Sequence, residues 1–464
     1  MTITAAEIAA RTRGVVTAGT GDAVVTSWDF DSRVLEPGAC FVALHGARDG
    51  HDFVDAAFAA GASVALVSTV PPGIEPSAGS AIVTVDDVLS ALQQLARAFR
   101  GARADLRVVG VTGSTGKTST KDLLASALAP LGCHASPASY NNEFGLPITL
   151  LTTPDDVGIV VAEMGERFPG DVAALCAIAR PEIGVVTNVG LAHAEHLGGP
   201  AGAAKAMEEM LASLPASGLA VLNADDEWTP SLAVPDGVAV VTVGAGAGAD
   251  YRVEDVALDA NLHASFSLRG ERVAVPLHGE HQAWNAALAL AVAHRGFGME
   301  LREAADGLAR VRPARWRLEV QVSADGVTVL NDAYNANPAS MHAALHALAG
   351  TATSGRRIAV LGDMRELGPH SEDAHSLVGH LAAELRVDVL IGVGHGGRAI
   401  AEAAGGQEHG APDVVTVMDA DGALRAARSV LAPGDTVLVK ASRDVGLEFV
   451  AQGLLHAGTP EAAS

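Results

Sequence analysis

An α/β fold built from about three units, with mostly parallel sheets, is predicted by three observations. The chain has 464 residues, and a domain takes roughly 150. Hydrophobic residues make up 49% of it, ample for several cores. For most of its length, β-branched runs alternate with Ala/Leu-rich helical stretches, which implies parallel strands covered by helices on both faces.

The elements follow in order. Up to residue 98 a strand-like Cys40-Phe-Val-Ala-Leu44 and a helix-like stretch over 52–60 predict a small α/β unit. The polar segment 100–105 has no apolar periodicity and reads as a linker. From Leu106 to about Pro313 the strand–helix alternation predicts a central unit with a mostly parallel sheet. From Ala314 onward, strand-like segments at 327–330, 358–361, 387–391, 414–417 and 436–439 alternate with helical stretches such as 374–384, a second α/β series. The expected units are therefore 1–98, 99–313 and 314–464.

A net charge of −23 excludes a protein that wraps nucleic acid, which needs a basic footprint. Polyanions must instead be met by a few placed cations and metal ions. Cys40, Cys133 and Cys176 are far apart and form no C-x-x-C pair, which points to a reducing compartment. No apolar run approaches ~20 residues and the N-terminus lacks a signal-peptide core. A cytoplasmic protein without membrane insertion, acting as a monomer, is expected.

The sharpest local signal is Gly110-Val-Thr-Gly-Ser-Thr-Gly-Lys-Thr118. The general phosphate-loop spacing G-x-x-x-x-G-K-[ST] needs glycine where Val111 stands. The context is nonetheless that of a phosphate loop, because an apolar strand (106–111) precedes it and a helix with apolar Leu123, Leu124, Ala127, Leu128 and Leu131 follows. Gly113, Ser114, Thr115, Gly116, Lys117, Thr118 and Ser119 would cradle phosphates at that helix start, with Lys117 reaching the β/γ oxygens and Thr118 holding Mg²⁺. An ordinary strand-to-helix turn is the plainer alternative.

Two further apolar strands end in metal-binding residues. One runs from Ile159 into Glu163; the other, 183–189, is followed by His193 and His196. Ligands of open parallel sheets sit beyond the carboxyl ends of the strands, so Thr118, Glu163 and His193 are expected to converge on a divalent cation. Spacing does not exclude His196 as the imidazole, and either residue alone reads as a surface hydrogen bond. Lys205 stands four residues before Glu209 on a helix-like stretch, the pattern of a solvent-facing ion pair. In the last third, 331–338 is an Asn/Asp/Pro cluster suited to turns and caps, yet its Tyr334 and polar neighbours at a strand end also suit a ribose or phosphate. Lys440 and Arg443 stand beyond another strand and read as anion binders.

Together these segments resemble the Mur ligase family, whose loop T-G-[ST]-x-G-K-[ST] appears as Thr112-Gly-Ser-Thr-Gly-Lys-Thr118. Further matches are Asp31-Ser-Arg33, Asp49-Gly-His51, Tyr140-Asn-Asn-Glu-Phe-Gly-Leu-Pro147, Glu163-Met-Gly165, Thr187-Asn-Val-Gly-Leu-Ala-His193, Gly279-Glu-His-Gln282 with Asn285, Asp332-Ala-Tyr-Asn-Ala-Asn-Pro338, Leu361-Gly-Asp-Met364 and Val439-Lys-Ala-Ser-Arg443. Their order covers nearly the whole chain. The sequence departs from the family pattern at Gln282, where asparagine is usual, and at Ala441, where glycine is.

The resemblance implies a UDP-sugar-binding N-terminal domain, a central P-loop ATPase domain and a Rossmann-like C-terminal domain. It implies an ATP-dependent acid–amino acid ligase. The Asn141-Asn142 and Tyr334-Asn-Ala-Asn337 segments select the member that joins D-alanyl-D-alanine to UDP-N-acetylmuramoyl-tripeptide. It places ATP near His281, Asn285, Arg317, Asp332, Tyr334 and Asn337. Arg317 is preferred to Arg315 for its distance to Asp332. Substrate is placed at Ser32, Arg33, Asp49, His51, Asn141, Asn142, Lys440, Ser442 and Arg443. Catalysis falls to Lys117, Glu163, His193 and Lys205. The resemblance also reverses the reading of Lys205, which becomes a CO₂-carbamylated lysine holding a second Mg²⁺. A sibling ligase adding another amino acid and a folylpolyglutamate synthase share the loop, though Asp31-Ser-Arg33 argues for UDP-sugar against folate. A nucleotide-dependent binding protein without ligase chemistry is the alternative from another class.

Overall fold

The computed structural model describes residues 2–46 and 48–456. Met1, Ala47 and 457–464, parts of the outer two expected units, lie outside the described residues. Among the described residues the strands form four sheets. A short antiparallel pair joins Ile3–Thr4 to Val24–Val25. Beside it a five-stranded sheet is ordered Val15–Gly19, Ala81–Thr84, Val64–Val67, Ala39–Val42, Ser27–Asp29. Only its Val15–Gly19 edge runs antiparallel.

The nine-stranded central sheet places Arg107–Thr112 between Ile183–Val186 and Ile159–Glu163, all parallel. Cys133–Ala135 closes one side; Leu219–Asn223 and Ala239–Gly244 continue the other in parallel. The sheet then ends in an antiparallel meander of Tyr251–Leu258, His263–Leu268 and Glu271–His278. The sequence reading predicted a mostly parallel sheet here, as observed, without placing these antiparallel strands. The meander strands alternate buried and exposed residues, the pattern of a sheet solvated on one face.

The third sheet is ordered Glu319–Val322, Thr328–Asn331, Thr436–Lys440, Arg357–Gly362, Val389–Val393, Asp413–Val417. It is parallel apart from the Glu319–Val322 edge. The chain leaves Thr328–Asn331 and returns two positions away at Arg357–Gly362, so a crevice opens at the carboxyl ends near Asn331 and Lys440.

Residues 100–102 are no linker. They form the last turn of the helix Val88–Ala102, whose N-cap Asp87 accepts from Ser90 N–H at 2.6 Å and whose buried face carries Val88, Leu92, Leu95 and Phe99. Arg100 is buried, with Nε donating to Ala179 O at 2.8 Å and Nη1 to Arg103 O at 2.8 Å. A long aliphatic stem carries the guanidinium to carbonyl acceptors, which residue letters alone do not reveal. That helix joins the N-terminal core to one face of the central sheet. Ile8, Leu92 and Phe99 share a continuous cluster with Val108, Val160, Leu146 and Leu175. The opposite face packs Val109, Val111, Val161 and Val185 against Leu123, Leu124 and Leu288.

No helix among the described residues is long and apolar enough to cross a membrane. The three cysteines are free.

Candidate functional site

The turn after Arg107–Thr112 is shaped by two glycines in the left-handed half of backbone space, Gly113 (φ +135°) and Gly116 (φ +78°). A Cβ on Gly113 would stand 2.0 Å from Thr187 Oγ1, and one on Gly116 would stand 2.6 Å from Asn285 Oδ1. These approaches, and not a glycine at Val111, are what this loop requires. The loop is held from the neighbouring strand's end: Ser114 N–H donates to Asn188 O at 3.0 Å, Thr115 N–H to Asn188 Oδ1 at 2.9 Å, and Gly190 N–H to Ser114 Oγ at 2.8 Å. The helix Lys117–Leu128 starts there, and its first N–H groups have no partner within the helix. Such a start favours phosphate.

Lys117 Nζ donates to Gly113 O and lies 3.1 Å from both oxygens of Glu166. Thr118 is buried; its hydroxyl is 3.3 Å from Ser139 Oγ and accepts from Arg317 Nη2 at 2.9 Å. Arg317 therefore reaches from the C-terminal unit onto the loop, with its guanidinium 4.2 Å over the Tyr334 ring. Arg315 is exposed.

Register explains where Glu163 lies. It pairs with Val111, one residue before the end of the loop strand. Its carboxylate is buried, with Oε1 accepting from Asn141 Nδ2 at 2.8 Å and Oε2 without a partner. A buried carboxylate oxygen left open beside the loop is what a divalent cation would use. Nearby Asp122 is pushed towards its protonated form by burial, against the pull of Lys121.

His193 turns elsewhere. Its Nδ1 pairs with Glu366 of the C-terminal unit, which also accepts from Arg167 Nη2 at 2.6 Å and lies 3.6 Å from His196 Nε2. Burial opposes the Glu366 charge, but the His193 and Arg167 contacts outweigh it and hold the carboxyl below its ordinary range.

Lys205 is exposed on the helix Pro200–Ala212. The ion pair with Glu209 suggested by spacing is not what Glu209 makes. Its carboxylate accepts from Gly170 N–H at 2.8 Å and Ala173 N–H at 2.9 Å, at the start of the helix Asp171–Ala179, where backbone donors and the helix dipole compete better than a solvated ammonium.

One cleft brings together ten of the expected nucleotide residues: Ser114, Thr115, Gly116, Ser119, His281, Asn285, Arg317, Asp332, Tyr334 and Asn337, with Lys440. Gln282 fills the family's asparagine position by accepting from Asn285 Nδ2 at 3.0 Å, while Thr120 Oγ1 donates to Asn285 Oδ1 at 3.3 Å. Asn337 caps the helix Pro338–Gly350 through Ser340 and points its Nδ2 to Ser114 O at 3.4 Å. Buried Lys440 donates to Asp332 Oδ2 at 2.6 Å and Asn335 O at 2.9 Å; burial lowers its pKa and the Asp332 charge opposes that shift.

A second cleft, sharing the wall 334–337, contains His193, Ser442 and Arg443 with Arg167, Arg365 and Glu366. Arg443 lies 4.2 Å over the Trp316 ring. A third opens in the N-terminal unit and contains Ser32 and Arg33. Arg33 binds Asp31 through Nε (2.8 Å) and Nη2 (2.6 Å), hydrogen bonds that hold the Asp31 carboxyl low. Asp49 and His51 do not line this cleft: Asp49 accepts from His51 Nδ1 at 2.7 Å, and His51 Nε2 accepts at 2.9 Å from the N–H of Ser68, which does. Asn142 caps a turn through Gly145 N–H at 2.9 Å, and Tyr140 OH reaches Asp29 at 3.4 Å. Sequence reasoning missed Glu166, Glu366, Asn188 and Ser139. Of these Glu166, three residues beyond Glu163, and Asn188, inside the quoted segment 187–193, had a local cue.

A loop of phosphate-binding shape on a mostly parallel sheet, facing a cleft finished by a second α/β unit, is the architecture of the P-loop nucleotide-binding class. Models of the Mur ligase family catalytic domain, the Mur ligase middle domain and the Mur ligase glutamate ligase domain match residues 25–100, 111–293 and 316–443. The UDP-N-acetylmuramoyl-tripeptide–D-alanyl-D-alanine ligase of Mycobacterium tuberculosis is 41% identical, covering 92% of this chain and 91% of that protein. Among solved structures, MurF from Acinetobacter baumannii superposes with a TM-score of 0.82 at 28% identity, covering 98% of this chain and 99% of that one. MurF ligase from Thermotoga maritima in complex with ADP gives 0.75 at 28% identity, covering 93% and 97%. The chain belongs to the Mur ligase family.

Proposed function

We propose that the chain joins D-alanyl-D-alanine to the terminal carboxylate of UDP-N-acetylmuramoyl-tripeptide, using ATP, in peptidoglycan precursor synthesis. The observation that carries this is the loop of 112–118 facing Arg317, Asp332, Tyr334, Asn337 and Lys440 across one cleft, in a chain that matches curated relatives of that ligase name over 91% and 92% of their length. The N-terminal cleft of residues 1–98 would take the UDP-sugar, 99–313 the ATP, and 314–464 would close over both. The substrate carboxylate oxygen attacks the γ-phosphorus and ADP leaves; the dipeptide nitrogen then attacks the acyl phosphate carbon and phosphate leaves, the amine proton passing to solvent.

Positioning and charge neutralisation supply most catalysis of phosphoryl transfer. Lys117 and Arg317 would offset charge on the phosphates. Thr118 and Glu163 fit a Mg²⁺ ion, given the open Glu163 oxygen, with His193 as the third ligand once released from Glu366. Bound there, the ion would draw charge from the transferring phosphoryl group. Arg443, Ser442 and Lys440 are assigned to substrate carboxylate or phosphoryl recognition, and Asn141 and Asn142 to the acceptor side. A cytoplasmic location belongs to the same reading, supported by three free cysteines.

Amine choice tests the assignment. A site built for a dipeptide leaves its amide and carboxylate partners unsatisfied when a single amino acid binds, at about 1–3 kcal/mol per group. D-alanyl-D-alanine is expected to support amide formation, with D-alanine, L-alanine and D-glutamate about 5- to 150-fold poorer per lost group at equal concentration. Preference for a single amino acid would move the chain to a sibling ligase.

We assign Lys205 to a carbamate that holds a second Mg²⁺; its exposure on Pro200–Ala212 leaves the amine open to CO₂. Lys205→Ala should be inactive and partly recovered by short carboxylic acids. Absence of rescue, with no CO₂ adduct by ¹³C NMR, would leave Lys205 a surface lysine.

A further inference from the structure

We propose that Glu166 is a built-in competitor for the nucleotide phosphates at Lys117, setting how tightly ADP is held and how readily it leaves. The proposal rests on the phosphate-loop reading and adds to it a residue that neither the loop motif nor the expected metal set contains.

Glu166 is 1% exposed, and its side chain is wholly enclosed. Both of its oxygens lie 3.1 Å from Lys117 Nζ, and Thr112 Oγ1 donates to Oε2 at 3.4 Å. Lys117 Nζ also donates to Gly113 O. An ammonium has three protons, and these neighbours already engage them. An arriving phosphate must either take Nζ from Glu166 or share it.

In the first case a buried carboxylate loses the one ion-pair partner it has among the described residues, which is costly in a dry site. In the second, a carboxylate and a phosphate sit on one ammonium and repel each other where screening is weak. Both routes oppose phosphate binding. Both also favour product departure, because Lys117 returns to Glu166 as ADP leaves. The Glu166 charge therefore trades nucleotide affinity for release, and acts only through Lys117, as a positioning residue.

Equilibrium binding of ADP, measured by calorimetry with a metal chelator present and again with Mg²⁺, tests this on the full chain. Glu166→Gln keeps the shape and removes the charge. It is expected to bind ADP about tenfold tighter or more in chelator, to lower the KM for ATP, and to reduce kcat as ADP release slows. Glu166→Asp retains the charge and should stay near the parent affinity. Unchanged or weaker ADP binding by Glu166→Gln overturns the proposal. So does equal tightening by Glu166→Asp, which would make shape and not charge the cause. A lowered unfolding temperature without gain in affinity marks a purely structural carboxylate and overturns it as well. If the parent chain itself binds no ADP, the phosphate-loop reading fails instead.

Discussion

Lys117→Ala is expected to lower ligase turnover by roughly 10³-fold, the scale seen when one preorganised donor to developing charge is removed, and to destabilise the protein as well. A loop lysine read from sequence alone would affect phosphate and little else. The structure adds the enclosed Glu166 carboxylate, whose ion-pair partner is Lys117. Removing one member of a buried pair costs about 3–5 kcal/mol because the other charge stays uncompensated. The two losses separate in the double variant Lys117→Ala/Glu166→Gln, which should recover most of the stability in urea denaturation and none of the turnover. Near-parent turnover in either variant would sink the phosphate-loop assignment. Activity loss without destabilisation would show that Glu166 finds another partner when Lys117 is gone.

How much of this was legible beforehand follows a physical line. Features written within a few residues were read: the strand–loop–helix around 106–128 and the five parallel strands of the last unit each announce themselves through apolar runs and turn residues. Features made by distant partners were not. Glu366 meets His193 from 173 residues away, and Asn188 grips the loop from 73; no local pattern encodes either contact. The antiparallel meander of 251–278 was absorbed into a parallel series because short apolar runs look alike in both until the pairing is known. Arg100 was misplaced for a different reason: a charged letter in a polar stretch suggests solvent, whereas its stem lies inside the fold. Lys205 and Glu209 show the converse, where ideal helical spacing was present and the carboxylate was used on another helix.

Asp332→Ala is the second large expectation. Lys440 is 1% exposed and spends its ammonium on Asp332 Oδ2 at 2.6 Å. Without that carboxylate, a buried cation is left with carbonyl contacts alone, so a loss of about 3–5 kcal/mol is expected in the C-terminal unit. Asp332 also accepts Leu318 N–H through Oδ1 at 2.9 Å, fixing the backbone beside Arg317. The KM for ATP should therefore rise together with the loss of stability. Replacing both partners by apolar residues, Asp332→Leu with Lys440→Met, should recover much of the stability because no buried charge is stranded, while the KM defect persists. Urea unfolding with limited proteolysis of the C-terminal unit reads both. A cost below 1 kcal/mol for Asp332→Ala would mean that Lys440 discharges or reaches water when its partner is lost.

The helix Val88–Ala102 has a practical meaning for anyone dividing this chain into parts. A truncation at 98 or 105, where composition suggests a seam, would slice through a shared interior: Leu92, Leu95 and Phe99 on one fragment, Val108, Leu146 and Val160 on the other. Each piece would present a raw oily surface to water and tend to clump. A cleaner joint is expected further on, in the irregular stretch between the helix Leu301–Leu308 and the strand Glu319–Val322, where Leu262 is the second unit's buried contribution to the third core among the described residues. A stable two-piece version should thus keep the first two units together and release only the third.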